Sequence, residues 1–259
     1  MENYNKIWRS FFAICLIAIG IQQLIVGGFM PVIIPPSPIW LSGCIACVWV
    51  VSILLIVSSA AILFNINART IAVYLGAALL LLLLIFHIPY QLQTNLHFLG
   101  GWGNAFKILV LTGGAFVAAL SLPKTEGAGR ITNLLEKLLP AGRFFFAITM
   151  VVFGITHFVY IQFVAMLVPA WTPWHIFWGY LAGVALIAGG LGIILNIQLR
   201  LAANVLGVII FIWLITLHIP RAIADPYTGH GNEVVSVFEA LGFSGIAFLI
   251  AANAKSRKA

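Results

Sequence analysis

Residues 9–24 read RSFFAICLIAIGIQQL and residues 143–158 read RFFFAITMVVFGITHF, two apolar runs each opened by a single arginine. Arg9, Phe11, Phe12 and Gly20 of the first recur as Arg143, Phe145, Phe146 and Gly154 of the second. The likeness continues along the chain. NINAR at 65–69 matches NIQLR at 196–200, Gly76 matches Gly207, and His87-Ile88-Pro89 matches His218-Ile219-Pro220. FKILVLTGGAF at 106–116 then matches FEALGFSGIAF at 238–248, with the offset held between 131 and 134 throughout. Four blocks in one order read as an internal duplication, the feature that decides an architecture before any single motif does.

Composition sets the solvent in which this duplication folds. Of the 259 residues 63% are hydrophobic and 7% charged, against roughly 45–50% and about 25% in an average soluble domain. So few charges cannot cover the surface of a water-soluble fold, which excludes a soluble enzyme and a disordered regulator. Thirteen Lys and Arg over the whole chain are also too sparse to track a phosphate backbone, so no nucleic acid is expected as a partner. The expected partner is the lipid bilayer.

About 20 apolar residues carry a helix across a membrane. Eight stretches qualify, at 9–30, 39–64, 70–90, 104–122, 143–168, 175–196, 201–223 and 234–253. None shows the two-residue alternation of a barrel strand. The expected fold is therefore all-α and integral to the membrane, with eight transmembrane helices. They would form two pseudo-symmetric parallel four-helix bundles: residues 1–122, a connector at 123–142, and residues 143–259. An even number of spans per half makes the repeats parallel rather than inverted. Small residues such as Gly76, Gly113, Gly114, Gly183, Gly189 and Gly190 would permit close helix approach.

Basic residues set the orientation. Lys6, Arg9, Arg69, Lys124, Arg130, Lys137, Arg143, Arg200, Lys255, Arg257 and Lys258 all fall on one side of an eight-span topology, leaving Lys107 and Arg221 elsewhere. This predicts a multi-pass protein of the cell's inner (plasma) membrane with both termini cytoplasmic. Trp40, Trp102, Trp171, Trp174 and Trp178 would form an aromatic belt at the outer interface. The first span lacks a small-x-small cleavage site and reads as retained. In the connector, Ile131, Leu134, Leu135, Leu138 and Leu139 recur at helical spacing, as in a helix lying along the cytoplasmic interface.

In the second half, GITHF at 154–158, Val168-Pro169, Pro173, YLAG at 180–183, GGLG at 189–192 and RLAA at 200–203 resemble the DoxX-like family of small four-helix membrane proteins. GIQQL at 20–24 is similar to the same first-helix pattern, so the chain looks like a tandem duplication of that unit. The resemblance implies a redox-associated membrane subunit, since the family includes members linked to oxidoreductase complexes and to a thiosulfate:quinone oxidoreductase. It also implies a redox partner protein. Related sequences often carry a Glu after the second-helix AG, where this chain has Ala185, which removes any role for that carboxylate from the second half.

Ionisable groups inside a span are costly and mark candidate sites. Lys107 and Glu239 align across the repeat, and a pseudo-twofold axis would bring them together, as a structural pair or as the lining of a polar pocket between the bundles near the outer leaflet. His87 and His218, each followed by Ile-Pro, stand where proline frees a carbonyl and bends a helix. An imidazole there can cap the bend, bond a quinone oxygen or ligate a haem. His97, His157, His175 and His230 also fall on the outer half. Arg221 pairs with Asp225, the simpler expectation, or binds an anion. The candidate ligand-binding residues are thus His87, His157, His218, Lys107, Glu239 and Arg221, with quinone or haem as cofactor and no metal site. Cys44 and Cys47 form a CxxC that is either helix packing or a redox pair. There is no Walker loop, dinucleotide fingerprint, HExxH or nucleophile elbow. Two other classes remain open: a scaffold docking a partner through Leu134, Leu135 and Lys137, and a small-solute or lipid-binding protein.

Overall fold

A computed structural model describes residues 2–36, 41, 43–124, 127 and 129–254. Among these the chain is all-α, and eight helices are long and apolar enough to cross a membrane. They are α1 Glu2–Val26, α2 Ile45–Leu63, α3 Ala68–Thr94, α4 Gly103–Leu120, α5 Gly142–Val159, α6 His175–Ile194, α7 Leu199–Ala224 and α8 Thr228–Asn253. Trp40, Lys255, Arg257 and Lys258, invoked for the belt and the basic tail, lie outside the described residues.

Hydropathy marks the spans well and their ends less well. The first span was expected to run to residue 30, but α1 stops at Val26, where Gly27 turns left-handed with φ +67°. Pro31, Pro35 and Pro36 then prevent a helix from resuming. The apolar run that follows is instead buried as irregular chain, with Met30, Val32, Ile33 and Ile34 all nearly inaccessible. Backbone buried this way must find partners. Gln23 supplies one: its Oε1 accepts the Met30 N–H at 3.1 Å while its Nε2 donates to Ser52 Oγ at 3.0 Å. The corresponding segment of the second half is a short helix, Ile161–Leu167, followed by exposed Trp171 and Trp174.

Other local structures do recur at the 131-residue offset. The α2–α3 and α6–α7 connections each close by a six-residue helix-terminating bond, Ile66 N–H to Ala61 O at 2.8 Å and Ile197 N–H to Gly192 O at 2.9 Å. Both place an asparagine, Asn65 or Asn196, in the left-handed conformation that ends a helix. α3 and α7 each contain one π-turn, Leu83–His87 and Leu214–His218, ending on the histidine before Ile-Pro. Pro89 and Pro220 cannot donate to the preceding turn, and a wider turn absorbs the mismatch.

The packing is a ring in which each helix meets its sequence neighbours, with α1 against α8 and α5 against α4. The first helix of each half thus lies on the last helix of the other half rather than closing its own bundle. α4 and α8 also pack on each other, and 67% of each lies buried within the protein, against 28–44% for the other spans. They form the core, where Phe12, Phe116 and Phe146 are fully enclosed. Termini and even-numbered connections share one end: Trp8 near the start of α1 lies 4.3 Å from Phe248 near the end of α8.

At that end Arg69 holds the connector. Its guanidinium donates to the Ala119 and Leu122 carbonyls at 3.0 and 2.6 Å, capping α4, and to Glu136 at 2.7 Å. The connector is two short helical pieces, Arg130–Leu135 and Glu136–Ala141, with Ile131 and Leu134 facing outward and Leu139 buried. Arg69→Met leaves the Leu122 carbonyl and the Glu136 carboxylate without this donor, while the Ala119 carbonyl keeps the Leu122 N–H. It is expected to cost about 1–3 kcal/mol and to speed proteolytic cutting in 123–130; an unchanged unfolding midpoint and cutting rate would remove Arg69 as the clamp.

Candidate functional site

The intramembrane charges meet. Lys107 Nζ on α4 lies 2.6 Å from Glu239 Oε2 on α8, the carboxylate almost wholly buried and the ammonium partly exposed. Two central helices, each contributing one charge from aligned repeat positions, place this pair at their crossing. Glu239 Oε1 has no hydrogen-bond partner among the described residues, so the carboxylate is only half satisfied. The Cys15 thiol of α1, fully buried, lies within electrostatic reach of both charges.

The two His-Ile-Pro histidines differ sharply. His87 is fully buried, and its Nε2–H donates to the Ile33 carbonyl of the irregular segment after α1 at 3.2 Å. A carbonyl can only accept, so the proton sits on Nε2, and Nδ1 is left as a buried acceptor without a partner. The expected bond to a freed carbonyl of its own bend is not what forms; the buried segment occupies that position. The nitrogen bonded to Ile33 is not available as a ligand, which leaves only the enclosed Nδ1.

His218 is partly buried, and its ring makes no side-chain hydrogen bond among the described residues. Lys107, Glu233 and Arg221 all lie within its electrostatic reach. Just before its π-turn, Trp213 stacks on His157 of α5, with centroids 6.2 Å apart and planes at 17°. His157 donates from Nδ1 to the Phe153 carbonyl at 2.7 Å, which leaves its Nε2 as an acceptor. Trp213 and His218 follow one another on α7, with His157 stacked on the first and Lys107 within electrostatic reach of the second.

Arg221 pairs with Glu233, not with Asp225: Nε and Nη2 reach the two carboxylate oxygens at 2.9 and 2.7 Å. Asp225 turns away to accept the Thr228 N–H at 3.1 Å. Three successive left-handed residues, Gly229, His230 and Gly231, reverse the chain there and return Glu233 to Arg221. His97 and His230 are exposed and His175 half-buried. Cys44 and Cys47 form a disulfide at the start of α2.

Among the described residues, no cluster of three or more His, Cys, Asp or Glu could hold a metal. Two cavities of about 240 Å³ lie at opposite ends. One is bounded by Val117, Pro140, Arg143, Phe144 and Asn253, the other by Phe29, Pro31, Ile34, Leu41 and His230. Neither is lined by the six ligand-binding candidates, so the pocket expected between the bundles is not one of them. Sequence reasoning missed Gln23, Ser52 and Trp213. The signal was present for the first: Gln23 aligns with His157 at the offset of 134 set by the opening repeat.

Comparison of the chain with protein-family models, with characterised proteins and with solved structures gives no match in any of the three. None of them ties it to the DoxX-like family. Fold and hydropathy define a class: the chain is a polytopic helical membrane protein, all-α, with eight apolar helices long enough to span a bilayer.

Proposed function

We propose that this is a DoxX-like inner-membrane protein built from two parallel four-helix repeats, serving as a redox-associated subunit that holds a quinone-class ligand in its second half. Both termini would be cytoplasmic and the site would lie toward the outer leaflet. The observation that carries this reading is the difference between the twin histidines. His87 is sealed by Ile33, whereas His218 is partly buried and unbonded, within electrostatic reach of Lys107 and one turn beyond Trp213, which stacks on His157. A quinone ring needs a flat apolar face and donors for its carbonyl oxygens, which Trp213, His218 and Lys107 could together provide. The protein's part is to bind and orient: a donor at His218, an acceptor at His157 Nε2 and a cation at Lys107.

The test is a reduced-minus-oxidised ultraviolet spectrum of protein purified gently in native lipid. A quinone difference signal is expected in the wild type and in His87→Leu, provided the latter folds, and is expected to be lost in His218→Leu. A flat wild-type spectrum, or equal loss in both variants of comparable stability, would remove the reading.

A further inference from the structure

The Cys44–Cys47 disulfide is placed for chemistry rather than for bracing. A crosslink stabilises a fold by removing freedom from the unfolded chain, and the effect grows with the loop it closes. Here the bond spans only Ile45 and Ala46, whose backbone is already fixed by the first turn of α2. It therefore adds little that the helix does not provide. Nor does it join α2 to another helix.

Its surroundings favour exchange. Cys44 is the N-cap of α2, and its sulfur accepts the Cys47 N–H at 3.3 Å. A helix N-terminus with an amide directed at a sulfur stabilises the thiolate that forms when the bond is broken. Gly43, Ile45 and Ala46 beside the pair are exposed and both cysteines are partly buried; Cys47 is the one packed against the apolar core, which assigns the attack to Cys44. The Cys44 N–H donates to the Leu41 carbonyl at 3.1 Å, and Leu41 is also a wall of the cavity shared with Phe29, Pro31, Ile34 and His230. The pair stands at the end of the molecule opposite the termini. Disulfides persist in oxidising compartments, which is where this end would lie if the termini are cytoplasmic.

We propose that Cys44–Cys47 is a thiol–disulfide exchange site that oxidises a dithiol. One substrate thiolate attacks Cys44 Sγ; the Cys44–Cys47 bond breaks and its electron pair leaves on Cys47 as a thiolate. The second substrate thiolate then attacks the substrate sulfur of the mixed disulfide, releasing Cys44 as a thiolate held by the Cys47 N–H. The substrate leaves as a disulfide, the protein gains two electrons, and the two protons given up by the substrate thiols neutralise Cys44 and Cys47. This proposal does not depend on the His218 reading.

The full-length protein in detergent is equilibrated with dihydrolipoamide and lipoamide at a series of ratios, and accessible thiols are counted by a mass-tagging maleimide. Two thiols are expected to appear and disappear reversibly with the ratio, while buried Cys15 stays unlabelled and the unfolding temperature hardly moves. Cys47→Ala, treated with glutathione disulfide, is expected to accumulate a mixed disulfide on Cys44 with release of one glutathione thiolate, and Cys44→Ala to accumulate far less. Resistance of the wild-type pair to a hundredfold excess of dihydrolipoamide, or reduction only on unfolding, would overturn the proposal. The wild-type titration decides the matter even if a single-cysteine variant fails to fold.

Discussion

Lys107→Met is expected to be among the most damaging single substitutions in the molecule, and far worse than Glu239→Gln. Glu239 is 5% exposed and Lys107 24%, so the two partners are not equally placed to survive alone. Removing the lysine strands a carboxylate that already has one oxygen without a donor. Breaking a buried pair in this way costs about 3–5 kcal/mol, and the partial exposure of the lysine sets the estimate at the lower end. A loss of about 3 kcal/mol corresponds to a fall of about 6–12 °C in unfolding temperature for a chain of this size. Removing the carboxylate leaves a lysine whose flexible stem can carry its charge toward the surface. The double variant Lys107→Met/Glu239→Gln should recover much of the loss, because no uncompensated charge remains buried. Thermal unfolding of the four proteins in one detergent is the measurement. Equal midpoints for Lys107→Met and wild type would show that the pair contributes nothing to the α4–α8 crossing.

The second large effect is expected where α4 crosses α5. A Cβ on Gly113 would stand 2.6 Å from the Gly142 carbonyl oxygen, and one on Gly142 would stand 2.7 Å from the Gly113 carbonyl oxygen. The obstruction is backbone on both sides, so no side chain can rotate away and the helices themselves must part. Overpacking a core costs about 1–3 kcal/mol where side chains can adjust; here Gly142→Val should exceed that range and sharply reduce the yield of monodisperse protein. Gly103→Ala is the control, since a Cβ there meets nothing within 4 Å, and it should stay within about 0.5 kcal/mol of wild type. Size-exclusion profiles and unfolding temperatures of the two variants test this. A well-behaved Gly142→Val protein would mean that the two helices can separate without penalty.

How far the sequence could lead depended on the kind of information each feature carries. Span locations follow from hydropathy because apolar length is a one-dimensional property. The juxtaposition of Lys107 and Glu239 was legible because the repeat turned two separate charges into equivalent positions. The course of residues 27–36 was less legible: an apolar run reads as helix until Gly27 and three prolines are weighed against Gln23, whose amide makes burial of irregular backbone possible. Arg221 was assigned to the nearer carboxylate, but a reversal through Gly229, His230 and Gly231 favours the one farther along the chain. Which first helix packs on which last helix was invisible, since apolar faces of similar composition do not encode their partners. The difference between His87 and His218 was hidden for the same reason, because it lies in a neighbouring segment and not in the repeated motif itself.

The crossed placement of α1 and α5 also governs the order of assembly. During synthesis the first four helices enter the membrane before α8 exists, so the face of α1 that will meet α8 must wait for more than a hundred further residues to be made. Until then it is exposed to lipid or to provisional neighbours, and the first half can take its final form only after the last helix arrives. Two separately expressed halves should therefore be unstable apart and gain stability when produced together. A deletion near the carboxyl end would be felt first at the opposite terminus of the chain.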